Sequence, residues 1–205
     1  MKKNISVNNQ KAKLIHEGFF TDGNETRSIN WTDSWSKPFM RDIQVLRHPT
    51  HNYKSVCDVG CGNGLFANKL VGFEFEEVHA VDLVTVSMNM VIENPKINYI
   101  DAPANDIPLN DNSVELLTAF DVLEHIHPEE VDNSLDEFFR ITTKTFMFSI
   151  SHKKSRETYD GENLHMCVKP FEWWEAKISK YANFVKFVPV PVGAKFSRHI
   201  WELKK

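Results

Sequence analysis

Cysteine, net charge and long apolar runs are all scarce in this chain of 205 residues. Its three cysteines, Cys57, Cys61 and Cys167, are an odd number without a C-x-x-C pair, which indicates neither a disulfide framework nor a zinc site. The formal net charge of −4 gives no overall attraction to nucleic acid. No apolar run approaches the roughly 18 residues that a membrane span needs. We therefore expect a cytoplasmic protein without a membrane partner.

Length and composition predict a single globular domain over residues 1–205. Hydrophobic residues make up 41% of the chain and charged residues 25%, both ordinary values for a soluble protein. Residues 1–10 carry lysines without an apolar core, which indicates no signal peptide and predicts a frayed start. We expect residues 1–52 to form a helical extension that serves as a lid over a site, with ordinary packing as the alternative for its aromatic residues Phe19, Phe20, Trp31, Trp35 and Phe39.

Glycine is also scarce, with 8 in the chain, yet Gly60, Gly62 and Gly64 alternate in one short stretch. The apolar run Lys54–Val59 before them predicts a buried strand, and the apolar spacing in Leu65–Val71 predicts a helix. The glycines therefore lie at a strand-to-helix turn. Residues without a Cβ let the backbone bend sharply there and let a ligand approach the main chain, so the turn predicts a nucleotide-type ligand.

The spacing of this turn distinguishes between ligands. A dinucleotide fingerprint is G-x-G-x-x-G, with its acidic residue about 20 positions later. Here the glycines follow G-x-G-x-G, and Asp58 lies before the first of them. A carboxylate at that point would repel a pyrophosphate but suits a ligand that carries positive charge. The pattern disfavours a NAD-dependent oxidoreductase.

Asp58, Gly60, Gly62 and Gly64 match the D/E-x-G-x-G-x-G motif, and the chain here resembles the class I S-adenosylmethionine-dependent methyltransferases of the type 11 kind. A second match is the strand that ends in Asp82, and further family-like segments follow in the same order. The resemblance spans residues 54–150, and its later segments are 101–102, 107–109, 112–117 and 120–126.

The resemblance implies S-adenosylmethionine as the cofactor, bound at the carboxyl ends of the strands. Asp82 would accept hydrogen bonds from both ribose hydroxyls. Asp101 with the Ala102 backbone is the favoured adenine contact, while Asn105 and Asp106 remain competing candidates. The full predicted cofactor set is Asp58, Gly60, Cys61, Gly62, Gly64, Asp82, Leu83, Asp101, Ala102, Phe120 and Asp121.

Alternating strands and helices predict an α/β fold with a doubly wound, mostly parallel sheet. The resemblance implies seven strands with an antiparallel strand near the C-terminus, in a Rossmann-like methyltransferase fold. Further strands are predicted near 77–81, 97–100, 114–120 and 144–150, with helices at about 128–140 and 170–181. Two final strands, 184–188 and 195–203, are predicted on either side of residues 189–194.

The implied reaction is methyl transfer from S-adenosylmethionine to a small-molecule or glycan-like acceptor. Such a transfer is an in-line displacement, so much of the catalysis comes from positioning. A histidine is the usual general base near neutral pH. His125 and His152 directly follow the fourth and fifth strands and are the favoured candidates, ahead of His127 and His165. The Asn/Asp-Pro-Pro-aromatic motif of DNA base methyltransferases is not found after the fourth strand, so we expect no DNA substrate.

Asp121-x-x-Glu124-His125 allows a different chemistry. Some RNA 2′-O-methyltransferases and quinone O-methyltransferases resemble it with a Glu-x-x-Glu-His set and a later histidine, for which His165 is the candidate here. Because the first carboxylate is Asp, we predict no tightly bound metal. A metal-assisted O-methyltransferase remains one alternative, and a non-catalytic cofactor-binding module is another. The sequence does not determine the oligomeric state.

Overall fold

A computed structural model describes residues 6–21, 52–73, 75–83, 93–187 and 196–203. These ranges contain helices α1 Val7–Thr21, α2 Leu65–Val71, α3 Val131–Ile141 and α4 Phe171–Ile178, and a 3-10 helix, Leu123–His125. The strands are β1 Ser55–Val59, β2 Glu77–Asp82, β3 Ile97–Asp101, β4 Val114–Phe120, β5 Thr142–Ser151, β6 Thr158–Tyr159, β7 Glu162–Asn163, β8 Ala182–Phe187 and β9 Phe196–Leu203.

The main sheet has the strand order β3-β2-β1-β4-β5-β9-β8. Strands β1 to β5 run parallel to one another, whereas β9 runs antiparallel to both of its neighbours, β5 and β8. All five positions of β1 are buried, as expected for a central strand covered on both faces. The predicted α/β class with a mostly parallel sheet is confirmed. The strand order reverses between β1 and β4, which is where open α/β sheets bind ligands.

The strands carry one apolar set on each face of the sheet. Leu117 and Phe146 belong to a core cluster with Phe138 of α3 and the fully buried Trp174 of α4. The adjacent residues of the same strands point the other way, as strand alternation requires, and include Leu116 and Met147, packed with Phe66 and Leu70 of α2. Helices therefore cover both faces, and the strand ends at the edge of the sheet are left to form a site.

Several predicted boundaries are wrong, and the helix predicted at 170–181 ends at Ile178. Helix α3 begins at Val131 and not at 128, because Pro128–Glu130 form a turn in which the Glu130 amide donates to the His127 carbonyl at 2.8 Å. The start of the chain is helical from Val7, where a frayed segment was predicted. The Ser6 hydroxyl accepts the Asn9 amide at 3.1 Å, which is a helix cap that stabilises the first turn.

Helix α1 lies against the loop after β3 and against the β6–β7 hairpin. The Asn9 side chain donates to Asn105 Oδ1 at 2.7 Å, and Lys11 forms an ion pair with Glu162 at 2.7 Å. Ile15 packs on Leu164. Trp31, Trp35, Phe39 and the connection 189–194 lie outside the described residues. Within the described ranges, no helix has the length and apolarity needed to span a lipid bilayer.

Candidate functional site

The turn between β1 and α2 is held by backbone hydrogen bonds to the end of β2. The amides of Gly60 and Cys61 donate to the Val81 carbonyl at 2.7 and 3.1 Å. The Gly62 amide donates to Asp82 Oδ2 at 2.8 Å. The carboxylate at the end of β2 therefore orients the middle of the glycine turn, and the predicted turn and the predicted strand end form one unit.

Glycine is needed at two positions of this turn for steric as well as conformational reasons. Gly60, Gly62 and Gly64 all have positive φ, at 69°, 55° and 77°. A Cβ on Gly60 would lie 2.2 Å from Val122 Cγ2, and one on Gly64 would lie 2.8 Å from Tyr99 Oη. A Cβ on Gly62 would meet no described atom within 4 Å. The turn is thus packed against β3 and the segment after β4, while Gly62 has open space beside it.

Asp58 lies in β1, two residues before the first glycine of the turn. It is 3% exposed and accepts a hydrogen bond from Thr118 Oγ1 at 2.7 Å, and the two residues are register partners in β1 and β4. Since a buried carboxylate needs such donors, Thr118 stabilises its charged form. This hydrogen bond from the neighbouring strand β4 could not be predicted from the glycine motif alone.

The ends of β2 and β3 bring Asp82 and Asp101 side by side as register partners. The Ala102 amide donates to the Asp82 carbonyl at 3.1 Å, and Leu83 directly follows β2. Lys13 of α1 lies 3.9 Å from Asp101. These predicted cofactor residues therefore form one edge of the site, next to the glycine turn.

The loop after β3 is fixed by side chains of α3. Arg140 donates to the Ile107 carbonyl at 2.9 Å and to the Leu109 carbonyl at 2.8 Å, and Glu137 accepts the Ile107 amide at 2.7 Å. The hydrogen bonds that Arg140 donates to the carboxylates of Glu137 and Asp111 raise its pKa further above its ordinary value. The Asn105 amide group is occupied on both sides, by Asn9 at 2.7 Å and by Glu130 at 2.6 Å.

Phe120 ends β4 at the same edge of the sheet, and Asp121 directly follows it. Asp121 has a φ of 58°, a left-handed conformation that is uncommon for a residue other than glycine. Ser149 of β5 holds it there, because its hydroxyl donates to Asp121 Oδ1 at 2.6 Å and accepts the Asp121 amide at 3.0 Å. Phe120 is buried and packs edge-on against Phe66 at a centroid distance of 5.3 Å.

Three histidines from distant parts of the chain meet beside the 3-10 helix. The ring centroid of His125 lies 5.0 Å from that of His16 and 4.8 Å from that of His165. Burial, followed by the nearby His165, lowers the pKa of His16 to about 4. Burial also holds the pKa of His125 well below its ordinary value, with smaller effects from His16 and His165. His125 is therefore neutral at physiological pH.

Glu124 lies next to this cluster and is 1% exposed. Its Oε1 accepts the Ser151 amide at the end of β5, at 2.9 Å. One potential ligand atom from each of Glu124, His125 and His165 lies within 4.8 Å of the others. A carboxylate and two imidazoles at this spacing could hold a divalent metal. The sequence-based expectation of no tightly bound metal remains a prediction.

The other predicted base, His152, lies outside this group. Its Nδ1 hydrogen-bonds the Lys169 carbonyl at 2.8 Å. His127 makes a weaker contact, with 3.4 Å between its Nδ1 and the Glu129 amide. Of the two histidines that follow β4 and β5, His125 therefore lies inside the cluster and His152 lies outside it.

The cysteines are buried free thiols, as expected for small side chains that fill space. Burial raises the pKa of Cys57 and of Cys61 above the ordinary thiol range, and it raises the pKa of Cys167 to about 11. All three are therefore protonated and unreactive at neutral pH.

Sequence reasoning missed several residues that shape the site. Val122 and Tyr99 pack against the glycines, Ser149 fixes Asp121, and His16 joins the histidine cluster. Ser149 could have been found from strand register, since it pairs with Phe120. No local signal points to His16, because its neighbours are far away in the sequence.

Comparison with known proteins adds a family match. The sequence model of the family described as "Methyltransferase domain" matches residues 57–148, which run from β1 into β5. No curated protein matches the chain.

Several solved structures share the fold at low sequence identity. A protein from Pyrococcus horikoshii has 16% identity and a TM-score of 0.70, over 82% of this chain and 90% of that one. The 1,6-didemethyltoxoflavin-N1-methyltransferase of Burkholderia thailandensis, solved with bound 1,6-didemethyltoxoflavin and S-adenosylhomocysteine, has 15% identity and a TM-score of 0.68, over 100% of this chain and 94% of that one. A Haloferax volcanii protein in complex with the Trm112 methyltransferase activator has 11% identity and a TM-score of 0.74, over 93% and 99%.

Proposed function

We propose that this chain, whose residues 57–148 match the family described as "Methyltransferase domain", is a class I S-adenosylmethionine-dependent methyltransferase that transfers the cofactor's methyl group to a small-molecule acceptor. The predicted cofactor, S-adenosylmethionine, is part of this proposal, and it is supported by the family match and by the solved neighbour that holds S-adenosylhomocysteine. The acceptor and the residues that bind it are the subject of the proposal. The observation that carries the proposed use of the cofactor is the glycine turn, whose Gly62 amide donates to Asp82 Oδ2 at 2.8 Å.

We propose that the cofactor lies along the edge formed by the glycine turn, Asp82 and Asp101. Gly62 supports this position, since a Cβ there would meet no atom of the described residues within 4 Å. Asp82 is the proposed ribose acceptor and Asp101, with the Ala102 backbone, the proposed adenine contact. Asn105 is the weaker adenine candidate because Asn9 and Glu130 already bond its side-chain amide.

A small acceptor suits the surroundings of the cluster at the ends of β4 and β5. Helix α1 and the β6–β7 hairpin lie next to it and are joined by the Lys11–Glu162 ion pair and by the packing of Ile15 on Leu164. These contacts restrict the approach of a large polymer from this side. The net charge of −4 also gives no attraction to a polyanion.

His152 is the better of the two proposed bases. His125 holds a pKa well below its ordinary value because it is buried, so it would be a weak proton acceptor at neutral pH. His152 follows β5 directly, and its bond to the Lys169 carbonyl fixes the ring. The positions of Glu124, His125 and His165 favour a metal-assisted O-methyltransferase as the second candidate.

The test is methylation of a fractionated extract of the source organism with labelled S-adenosylmethionine. We expect label in the small-molecule fraction, and none when the Gly60→Val variant replaces the wild-type protein. Label confined to the RNA or protein fraction would overturn the proposed acceptor class. Calorimetry with S-adenosylhomocysteine and NAD accompanies it, and we expect binding of the first and not the second.

A further inference from the structure

We propose, against the sequence-based expectation, that Glu124, His125 and His165 bind one divalent first-row transition metal ion. The three potential ligand atoms lie within 4.8 Å of one another, although they come from the 3-10 helix and from the segment after β7. Two imidazoles and one carboxylate are the donor set of metal sites that keep a position open for substrate or water. The set suits zinc better than magnesium or calcium, which prefer oxygen ligands.

The hydrogen bonds of both imidazoles fit a ligand role. His165 Nδ1 bonds the Lys153 carbonyl at 2.6 Å, which leaves Nε2 as the nitrogen for a metal. The Nδ1 of His125 is buried without a hydrogen-bond partner among the described residues, which leaves this nitrogen for a metal. Metal-binding histidines typically donate one ring N–H to a carbonyl and so orient the other nitrogen toward the ion.

The carboxylate is held in the same way. Glu124 is 1% exposed, and the Ser151 amide fixes its Oε1 at 2.9 Å. The Glu124 carbonyl accepts the Cys167 amide at 2.9 Å, which ties the 3-10 helix to the segment that carries His165. A bound cation would compensate the charge of this buried carboxylate.

Helix α1 covers the site on one side. His16 lies edge-on against His125, and its Nε2 is likewise buried without a partner in the part of the chain that the structure describes. We assign His16 a positioning role, because its contact orients the His125 ring. The cluster follows β4 and β5 at their carboxyl ends, so an acceptor oxygen on the ion would lie on the cofactor side of the sheet. This last point, the role toward the acceptor, rests on the proposed function.

The experiment titrates the chelator-treated full chain with Zn²⁺ by calorimetry and records the visible absorption of Co²⁺ as a probe of coordination. We expect one ion per chain. Glu124→Gln, His125→Asn and His165→Ala should each weaken Zn²⁺ binding by about tenfold or more. His127→Ala is the matched control and should bind Zn²⁺ like the wild type, since His127 lies outside the cluster.

Titration with S-adenosylhomocysteine is run on every variant to show that it is folded. Retained cofactor binding with lost Zn²⁺ binding supports the site. The proposal is overturned if the wild type takes up no stoichiometric Zn²⁺, or if Zn²⁺ binds equally well to all three variants. Binding lost in the histidine variants but kept in Glu124→Gln would refute the proposed ligand set. Failure of the wild type to bind S-adenosylhomocysteine would instead contradict the proposed function. The Zn²⁺ titration of the wild type would still test the metal site.

Discussion

The glycine turn and the histidine cluster lie at the same edge of the sheet but are built in different ways. The turn is one contiguous segment, Gly60–Gly64, whose conformation depends on φ angles that glycine adopts easily. The cluster joins His16 of α1, the 3-10 helix residues Glu124 and His125, and His165 after β7. The first is local in the sequence and the second is wholly tertiary.

Because they are built differently, the two regions should tolerate different substitutions. The turn depends on the absence of side chains, so adding one should disrupt it whatever its chemistry. The cluster depends on particular side chains held by α1 and by backbone carbonyls. Conservative replacements of these side chains should therefore change the function of the cluster and leave the fold intact. The following predictions test that contrast.

The largest effect is expected for Gly60→Val. Its Cβ would lie 2.2 Å from Val122 Cγ2, at a φ of 69° that a β-branched residue rarely adopts. We expect S-adenosylhomocysteine binding to be lost in calorimetry. Gly161→Ala is the control, because it has a φ of 77° and open space around the added Cβ. Unchanged affinity in Gly60→Val would show that the turn is not the cofactor site.

A smaller loss is expected for Asp82→Ala. Removing the acceptor of the Gly62 amide and of the proposed ribose hydroxyls should cost about 1.5–3 kcal/mol of cofactor affinity, or roughly 10- to 150-fold in Kd. Asp82→Asn keeps one acceptor oxygen and should lose less. Asp160→Asn, in an exposed turn, is the control. Equal affinity of the folded Asp82→Ala protein and the wild type would remove this carboxylate from the site.

The rate at which cysteine thiols react allows the two regions to be compared without a substitution in either. Cys61 lies in the glycine turn, and Cys167 donates its amide to Glu124. Burial raises the pKa of Cys167 from 9.0 to about 11, so its thiolate population at pH 8 falls by about 100-fold. We expect native protein to react slowly with a thiol reagent and all three thiols to react in denaturant. Fast labelling of the native chain would contradict the described burial.

The smallest effect concerns the docking of α1. Asn9 is 9% exposed and donates to Asn105 at 2.7 Å, so Asn9→Ala should lower the free energy of unfolding by about 1 kcal/mol. Asn8→Ala removes an exposed hydrogen bond to Glu129 and a contact to the Glu130 side chain, and should lower the stability less than Asn9→Ala does. Chemical denaturation gives both values. Equal stability of the two variants would mean that the Asn9 contact does not stabilise α1.

Much of the local structure of the proposed cofactor edge could be predicted from the sequence because its determinants are local. Apolar runs placed β1 and β2, the glycine spacing placed the turn, and Asp82 was predicted as the residue that ends β2. The start of α3 was placed too early, because Pro128 and two acidic residues suit a first helical turn but form a preceding turn here. The frayed start was wrong because Ser6 caps α1, and its docking against the loop after β3 is not a local property.

By itself, the amino-acid sequence determined the parallel sheet and the glycine turn, since both depend on backbone preferences and apolar periodicity within short segments, and the family resemblance implied the kind of cofactor. Only the tertiary structure decided that Thr118 bonds Asp58, that Ser149 holds Asp121, and that Arg140 fixes the loop after β3. It also brought His16 and His165 to His125. Side chains far apart in the sequence meet only once the packing of α1 and the hairpin sets their distances, and no local pattern encodes that packing.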